Sequence, residues 1–170
     1  MLFYSRGSEN DVLGHEDLRN GLFEALDKLG QKKKILALPP DFTRFHSQAG
    51  ELTRYAWEYY GDNLTDILPA IGTHFPMTSN EITEMFGEIP QSLFREHNWR
   101  SDLVKLGDVP GEYLYEISEG KINYSWPAQI NSIITRGDYD LILSLGQVVP
   151  HEVIGMANYN KNVFVGAGGS

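Results

Sequence analysis

Leucines at 18, 22, 26 and 29 recur at the helical period and are followed by Gly30, which predicts an amphipathic helix over residues 17–29. The next apolar run, residues 35–38, is closed by Pro39 and Pro40, and a strand buried on both faces accounts for so short a run better than a helix does. Leu52, Tyr55, Ala56 and Tyr59 then draw one apolar face over residues 51–60 before Gly61, and residues 64–71 read as a second strand. A strand, a helix and a strand in that order make a βαβ unit, with a right-handed crossover and parallel strands. The crowded aromatics Tyr55, Trp57, Tyr59 and Tyr60 are expected to serve core and helix interface.

Thr78 with Glu81 three positions on is a capping box, opening a helix that runs to Phe86 and Gly87. Beyond it the periodicity weakens. Residues 92–98 and 103–108 are predicted as strands about a polar turn, and residues 113–117 and 121–124, about Ser118-Glu119-Gly120, as a hairpin. Residues 127–136 read as a helix stopped by Gly137, residues 141–145 as the best-defined buried strand, and residues 163–165 as a last strand. The expected class is α/β: a largely parallel open sheet with helices on both faces, Rossmann-like, an added β-hairpin being compatible with the pattern.

A chain of 170 residues that is 41% hydrophobic and 22% charged suffices for one ordinary core, so residues 1–170 are taken as one domain. The formal net charge of -9 argues against a nucleic-acid-binding face, because the basic cluster Lys32, Lys33 and Lys34 fits a solvated turn before a strand. No cysteine occurs, so nitrogen and oxygen side chains must carry any chemistry, and a reducing, cytoplasmic setting is the expectation. There is no apolar run of the roughly 18 residues a membrane span needs, and no secretory leader pattern at the start. The chain closes on Gly166-Ala167-Gly168-Gly169-Ser170 directly after an apolar run, which reads as a cut within a longer protein.

Polar islands interrupt the apolar runs at three predicted strand ends: Asp41-Phe42-Thr43-Arg44, Gly72-Thr73-His74-Phe75-Pro76, and Pro150-His151 with Lys161 farther on. Side chains at the carboxyl ends of neighbouring parallel strands converge on one crevice. Arg44 in such a place grips a carboxylate with Asp41 or Thr43 behind it, or else pairs with Asp41 and braces a turn. His74 and His151 are each either a proton-transfer group or a half-buried ring bonded to backbone. Lys161 is either a desolvated nucleophile or covalent anchor, or a solvated lysine. His15, His46 and His97 lie among polar neighbours and are expected at the surface. No HExxH, calcium loop, cysteine pair or P-loop is present, so no self-contained metal site is predicted.

Taken together, the DFTR segment, AIGTHFP before a helix ending in Phe86-Gly87, and DLILSLGQVVPHEVIG followed by Lys161 and a further glycine resemble the N-terminal domain of the lactate racemase family. The resemblance covers about residues 35–166. That family uses a nickel-pincer nucleotide to racemise or epimerise 2-hydroxy acids. It implies that Arg44, with Asp41 and Thr43, binds the substrate carboxylate and that His74 and His151 are the paired acid/base groups. It further implies that Lys161 carries the cofactor covalently, with Gly155 and Gly166 beside it. A 2-hydroxy acid carbon holds its hydrogen too firmly for a simple histidine base, so a hydride acceptor is needed while a base takes the hydroxyl proton. The chain departs from the pattern at Asn158-Tyr159-Asn160, where a glycine pair and often an arginine precede the lysine, and at Phe75, often an arginine. The family's nickel-ligating histidine and second domain come after Ser170, so this segment alone is not expected to be competent. A non-catalytic paralogue that binds a small carboxylate or sugar acid is the alternative reading, and an α/β domain whose motif residues only brace turns is a third.

Overall fold

The computed structural model describes residues 1–169. In chain order its regular elements are α1 (His15–Leu29), β1 (Ile35–Leu38), α2 (Ala49–Tyr60), β2 (Leu64–Ile67), α3 (Ser79–Phe86), β3 (Leu103–Val109) and α4 (Gly111–Ile117). There follow β4 (Trp126–Asn131), α5 (Ser132–Arg136), β5 (Leu141–Ser144), β6 (Pro150–His151), β7 (Gly155–Met156) and a π-helical turn, Asn162–Gly166. The main sheet has the order β2-β1-β5, with both pairings parallel.

Every residue of β1 is buried, and the strand's two-residue period divides them between two cores. Ile35 and Ala37 pack with Leu26, Ala56, Leu64, Ile67 and Phe86, beneath α1, α2 and α3. Leu36 and Leu38 pack with Leu68 and Ala167, against Ile133 and Ile134 of α5 and Val163 of the π-helical turn. Helices therefore cover both faces of a parallel sheet, as expected. Each buried leucine contributes about 1.5–3 kcal/mol by leaving water.

The helix signals hold. Glu81 accepts the Thr78 N–H at 2.7 Å while the Thr78 hydroxyl accepts the Glu81 N–H at 3.3 Å, and Gly87 closes α3. Helix α2 starts two positions earlier than the pattern indicated and brings Gly50 against α3, where a Cβ would lie 2.0 Å from the Met85 carbonyl oxygen. Tyr55 and Tyr60 are buried, and Tyr59 stacks edge-on to Phe23 of α1, which bears out the aromatic cluster as core and interface.

Four assignments are corrected. Residues 113–117 form a helix, α4, because Tyr113, Tyr115 and Ile117 are all exposed and their alternation marks no buried face. The antiparallel pair is made instead by β3 and β4, which flank that helix. Residues 127–136 split into strand β4 and helix α5 at Asn131, whose side chain accepts the Ile133 N–H at 2.9 Å as an N-cap. Residues 92–98 form no strand: Ser92 and Leu93 end the 3-10 turn Gln91–Leu93, Phe94 makes one bridge to Ile67, and Arg95 turns aside to donate to Asp66 at 2.6 Å. Residues 163–165 lie in the π-helical turn, with Val163 inward and Phe164 and Val165 exposed, so they lack the two buried faces of a central strand.

His97, expected at the surface, is 3% exposed. Its Nε2–H donates to the Gly168 carbonyl at 2.8 Å and its Nδ1 accepts from the Asn131 amide at 2.9 Å. The Asn131 oxygen is committed to the α5 cap, so the amide cannot turn over to accept a proton from a charged ring. Burial lowers the His97 pKa below its ordinary value, against weaker upward pulls from the Gly168 carbonyl and Asp102. An unfolded histidine, with a pKa of about 6.5, binds a proton that the folded ring refuses. The stabilisation is therefore complete above that pH and is lost as pH falls through the folded pKa. Urea unfolding should show stability declining below about pH 6.5. In His97→Gln the decline just below about pH 6.5 should flatten; an unchanged slope would assign it to other groups.

Candidate functional site

The paired prolines Pro39 and Pro40 end β1 and deliver Asp41, which N-caps the 3-10 turn Phe42–Ser47. One Asp41 oxygen accepts the Thr43 N–H at 3.2 Å and the Thr43 hydroxyl; the other accepts from His74 Nδ1 at 2.6 Å. Asp41 thus stands behind Thr43 and His74. No ion pair between Asp41 and Arg44 forms among the described residues, and Arg44 is exposed at a kink in the turn.

His74 closes a turn beyond β2, its N–H bonded to the Ile71 carbonyl at 3.0 Å. The turn is pinned from the far side by the Gly72 N–H, which donates to the Gly166 carbonyl at 2.7 Å. Gly166 belongs to this brace: a Cβ there would lie 2.5 Å from the Ala70 Cβ, so its glycine character follows from backbone packing.

Beyond β5 the chain makes the small hairpin of β6 and β7, turning at residues 152–154 and leaving through Gly155, whose φ is +83°. His151 is half-buried in that hairpin, and its Nδ1 accepts the Val153 N–H at 3.1 Å. The two histidines are therefore held in opposite tautomers. His74 donates from Nδ1 to a carboxylate and leaves Nε2 free to accept a proton; neutral His151 accepts at Nδ1 and carries its proton on Nε2. One ring has a nitrogen free to accept a proton and the other an N–H free to donate a hydrogen bond.

Arg44 and Lys161 line one cavity of about 40 Å³ with Ser47, Gly146, Gln147 and Asn158. A water requires roughly 10–15 Å³ on this measure, so the space suits a carboxylate-sized group. Lys161 also lines a second hollow of about 330 Å³, walled by Ile154, Met156, Tyr159 and Phe164. His151 lines neither of these two cavities; the exposed Glu152 carboxyl next to it in the chain lies below the usual range through its own backbone N–H first and His151 next, with Arg44 and Lys161 adding to the pull. His74 lies on a neighbouring hollow of about 450 Å³ with Phe75, His97 and Trp99, and is joined to the Arg44 turn through Asp41.

Two features escaped the sequence reading. Asn158 and Tyr159 both have positive φ, +61° and +47°, so the segment that departs from the glycine pattern keeps a left-handed backbone. Asparagine is the non-glycine residue most tolerant of that conformation, which was the available signal. Glu152, beside His151, had no signal beyond adjacency.

No family model and no curated protein sequence matches the chain. Solved structures do. The crystal structure of a protein from Thermotoga maritima superposes with a TM-score of 0.75 at 27% identity, over 96% of this chain and 40% of that one. The lactate racemase apoprotein from Thermoanaerobacterium thermosaccharolyticum superposes with a TM-score of 0.67 at 21% identity, over 91% of this chain and 37% of that one. The fold is lactate racemase-like. This chain spans about 40% of the length of either structure.

Nitrogen-15 NMR at mildly alkaline pH should show His74 protonated on Nδ1 and His151 on Nε2, with Asp41→Asn weakening the preference of His74 alone. Finding both rings in the same tautomer would contradict the assignment of one acceptor and one donor.

Proposed function

We propose that this chain is the N-terminal, cofactor-carrying and substrate-binding domain of a longer racemase or epimerase acting on a 2-hydroxy acid. The observation that carries the reading is that Arg44 and Lys161 share one carboxylate-sized cavity beyond the carboxyl ends of β1 and β5, in a lactate racemase-like fold.

The residues present fit a lysine-tethered nickel-pincer nucleotide. Lys161 faces both the small polar cavity and the larger hollow, whose apolar walls of Ile154, Met156 and Phe164 suit a planar ring. Among the described residues no trio of histidine or carboxylate side chains gathers to hold a metal, so the chain's own contribution is the lysine. When bound, the nucleotide supplies a hydride acceptor.

The protein's part follows from its geometry. Arg44 holds the substrate carboxylate by a two-pronged, charge-assisted contact. His74, its Nδ1 fixed on Asp41, offers Nε2 to the substrate hydroxyl and takes its proton. His151 presents its Nε2–H from the hairpin flank as a hydrogen-bond donor to that oxygen, and the proton held on His74 Nε2 returns to it. Return of the carbon-bound hydrogen to the opposite face would give the other hand of the substrate, with its oxygen held between the two rings.

The positive φ at Asn158 and Tyr159 supports loading, because the backbone keeps the path a glycine pair would take. Full-length protein made together with the cofactor's biosynthetic enzymes should carry the added mass on Lys161, and Lys161→Arg should abolish it. An unmodified lysine under those conditions would sink the racemase reading and favour a carboxylate-binding paralogue. Arg44→Ala should weaken binding of sodium lactate about 10- to 100-fold, as expected for a hydrogen bond to a charged group. Unchanged affinity would make Arg44 a structural brace.

A further inference from the structure

Lys161 follows a segment that ought to be hard to hold in place. Asn158 and Tyr159 are consecutive left-handed residues, and a bulky side chain such as tyrosine disfavours that region. Tyr159 is exposed and fastens nothing through its ring. Strain of this kind persists only where surrounding contacts over-determine the backbone.

Those contacts come from the buried Asn158 amide. Its oxygen accepts from the Ser144 hydroxyl at 2.8 Å and from the Asn162 amide at 2.6 Å, and its nitrogen donates to the Gly146 carbonyl at 2.9 Å. Ser144 is the last residue of β5, and the Asn162 amide also reaches the Leu38 carbonyl at 3.2 Å, at the end of β1. The turn before Lys161 is thereby bound to the carboxyl ends of two adjacent strands. The Lys161 N–H in turn donates to the Asn158 carbonyl at 2.9 Å. Asn158 itself lines both the Arg44 cavity and the larger hollow, on the wall from which Lys161 projects.

We propose that Asn158 is a positioning residue: its side-chain amide, bound to Ser144 at the end of β5 and through the Asn162 amide to Leu38 at the end of β1, holds the left-handed pair and so fixes the Lys161 amine between the two cavities. The proposal rests on the reading of Lys161 as the functional amine. A glycine in this place would permit the backbone but could not fasten it. Asparagine does both, so loss of a glycine here need not mean loss of the site.

The absence of cysteine makes a direct test practical. Gln147, exposed and lining the Arg44 cavity, is changed to cysteine, and the introduced thiol is joined to nearby lysines with a short maleimide–succinimide ester linker. Peptide mass spectrometry then compares the link to Lys161 with links to the remaining lysines. In the Gln147→Cys background Lys161 should dominate. Adding Ser144→Ala, which deletes one bond to Asn158 and leaves the backbone alone, should lower that preference about 5-fold, the shift worth one net hydrogen bond. Asn158→Gly, which keeps left-handed φ accessible, should lower it about 10-fold or more as several bonds go together. Circular dichroism confirms that each variant is folded, and if Asn158→Gly is not, Ser144→Ala decides. Unchanged preference for Lys161 in the folded variants overturns the proposal. The linking pattern does not depend on cofactor loading, so an unmodified Lys161 in full-length protein would defeat the racemase reading and leave this result standing.

Discussion

Burial of β1 on both faces constrains everything else in the molecule. With Ile35 and Ala37 committed to one core and Leu36 and Leu38 to the other, the strand has no polar face and no freedom of register. Parallel neighbours on both sides then send all three chain exits, after β1, β2 and β5, to the same edge of the sheet. Pro39 and Pro40 lack the N–H groups a further ladder would need, and the chain turns polar at Asp41. Side chains remote in sequence become neighbours because an apolar strand has only one end at which chemistry can begin.

The loops at that edge are tied to one another and to the strand ends. Asp41 joins the turn after β1 to His74 after β2, and Gly72 joins the His74 turn to Gly166. Asn158 and Asn162 close the circuit from the segment after β5 back to Ser144 and Leu38. Most of these links use small polar side chains with few rotamers, which hold geometry at little entropic cost. The groups proposed to meet substrate, Arg44 and the free nitrogens of the histidines, are left with capacity to bind. Supports are buried and reactive groups stand half-open, a division suited to a site that must be held still and yet reached.

Where sequence reading and structure part, burial is the reason. The alternating Tyr113, Tyr115 and Ile117 have the composition of a strand, but no layer covers them, and a helix behind Pro110 satisfies their backbone locally. His97 stands among charged neighbours in sequence yet is carried inward because Gly168 and Asn131, remote along the chain, supply both of its ring partners. Asp41 or Thr43 was expected behind Arg44, and Asp41 stands behind Thr43 and His74. Spacing along one loop could favour the near partner, and only the crossing of two loops could reveal the far one.

The amino-acid sequence by itself determined the α/β class, the helices with caps written in three or four residues, the doubly buried β1 and the positions of the polar islands. Each of these is a local property, settled by periodicity, proline and glycine within one or two turns of chain. Tertiary structure alone decided the sheet order, the antiparallel ribbon of β3 and β4, the tautomers of His74 and His151, and the wall that Lys161 shares with Arg44. These depend on atoms brought together from distant parts of the chain, and the free energy that selects them, burial of one face against another, has no value until both faces exist.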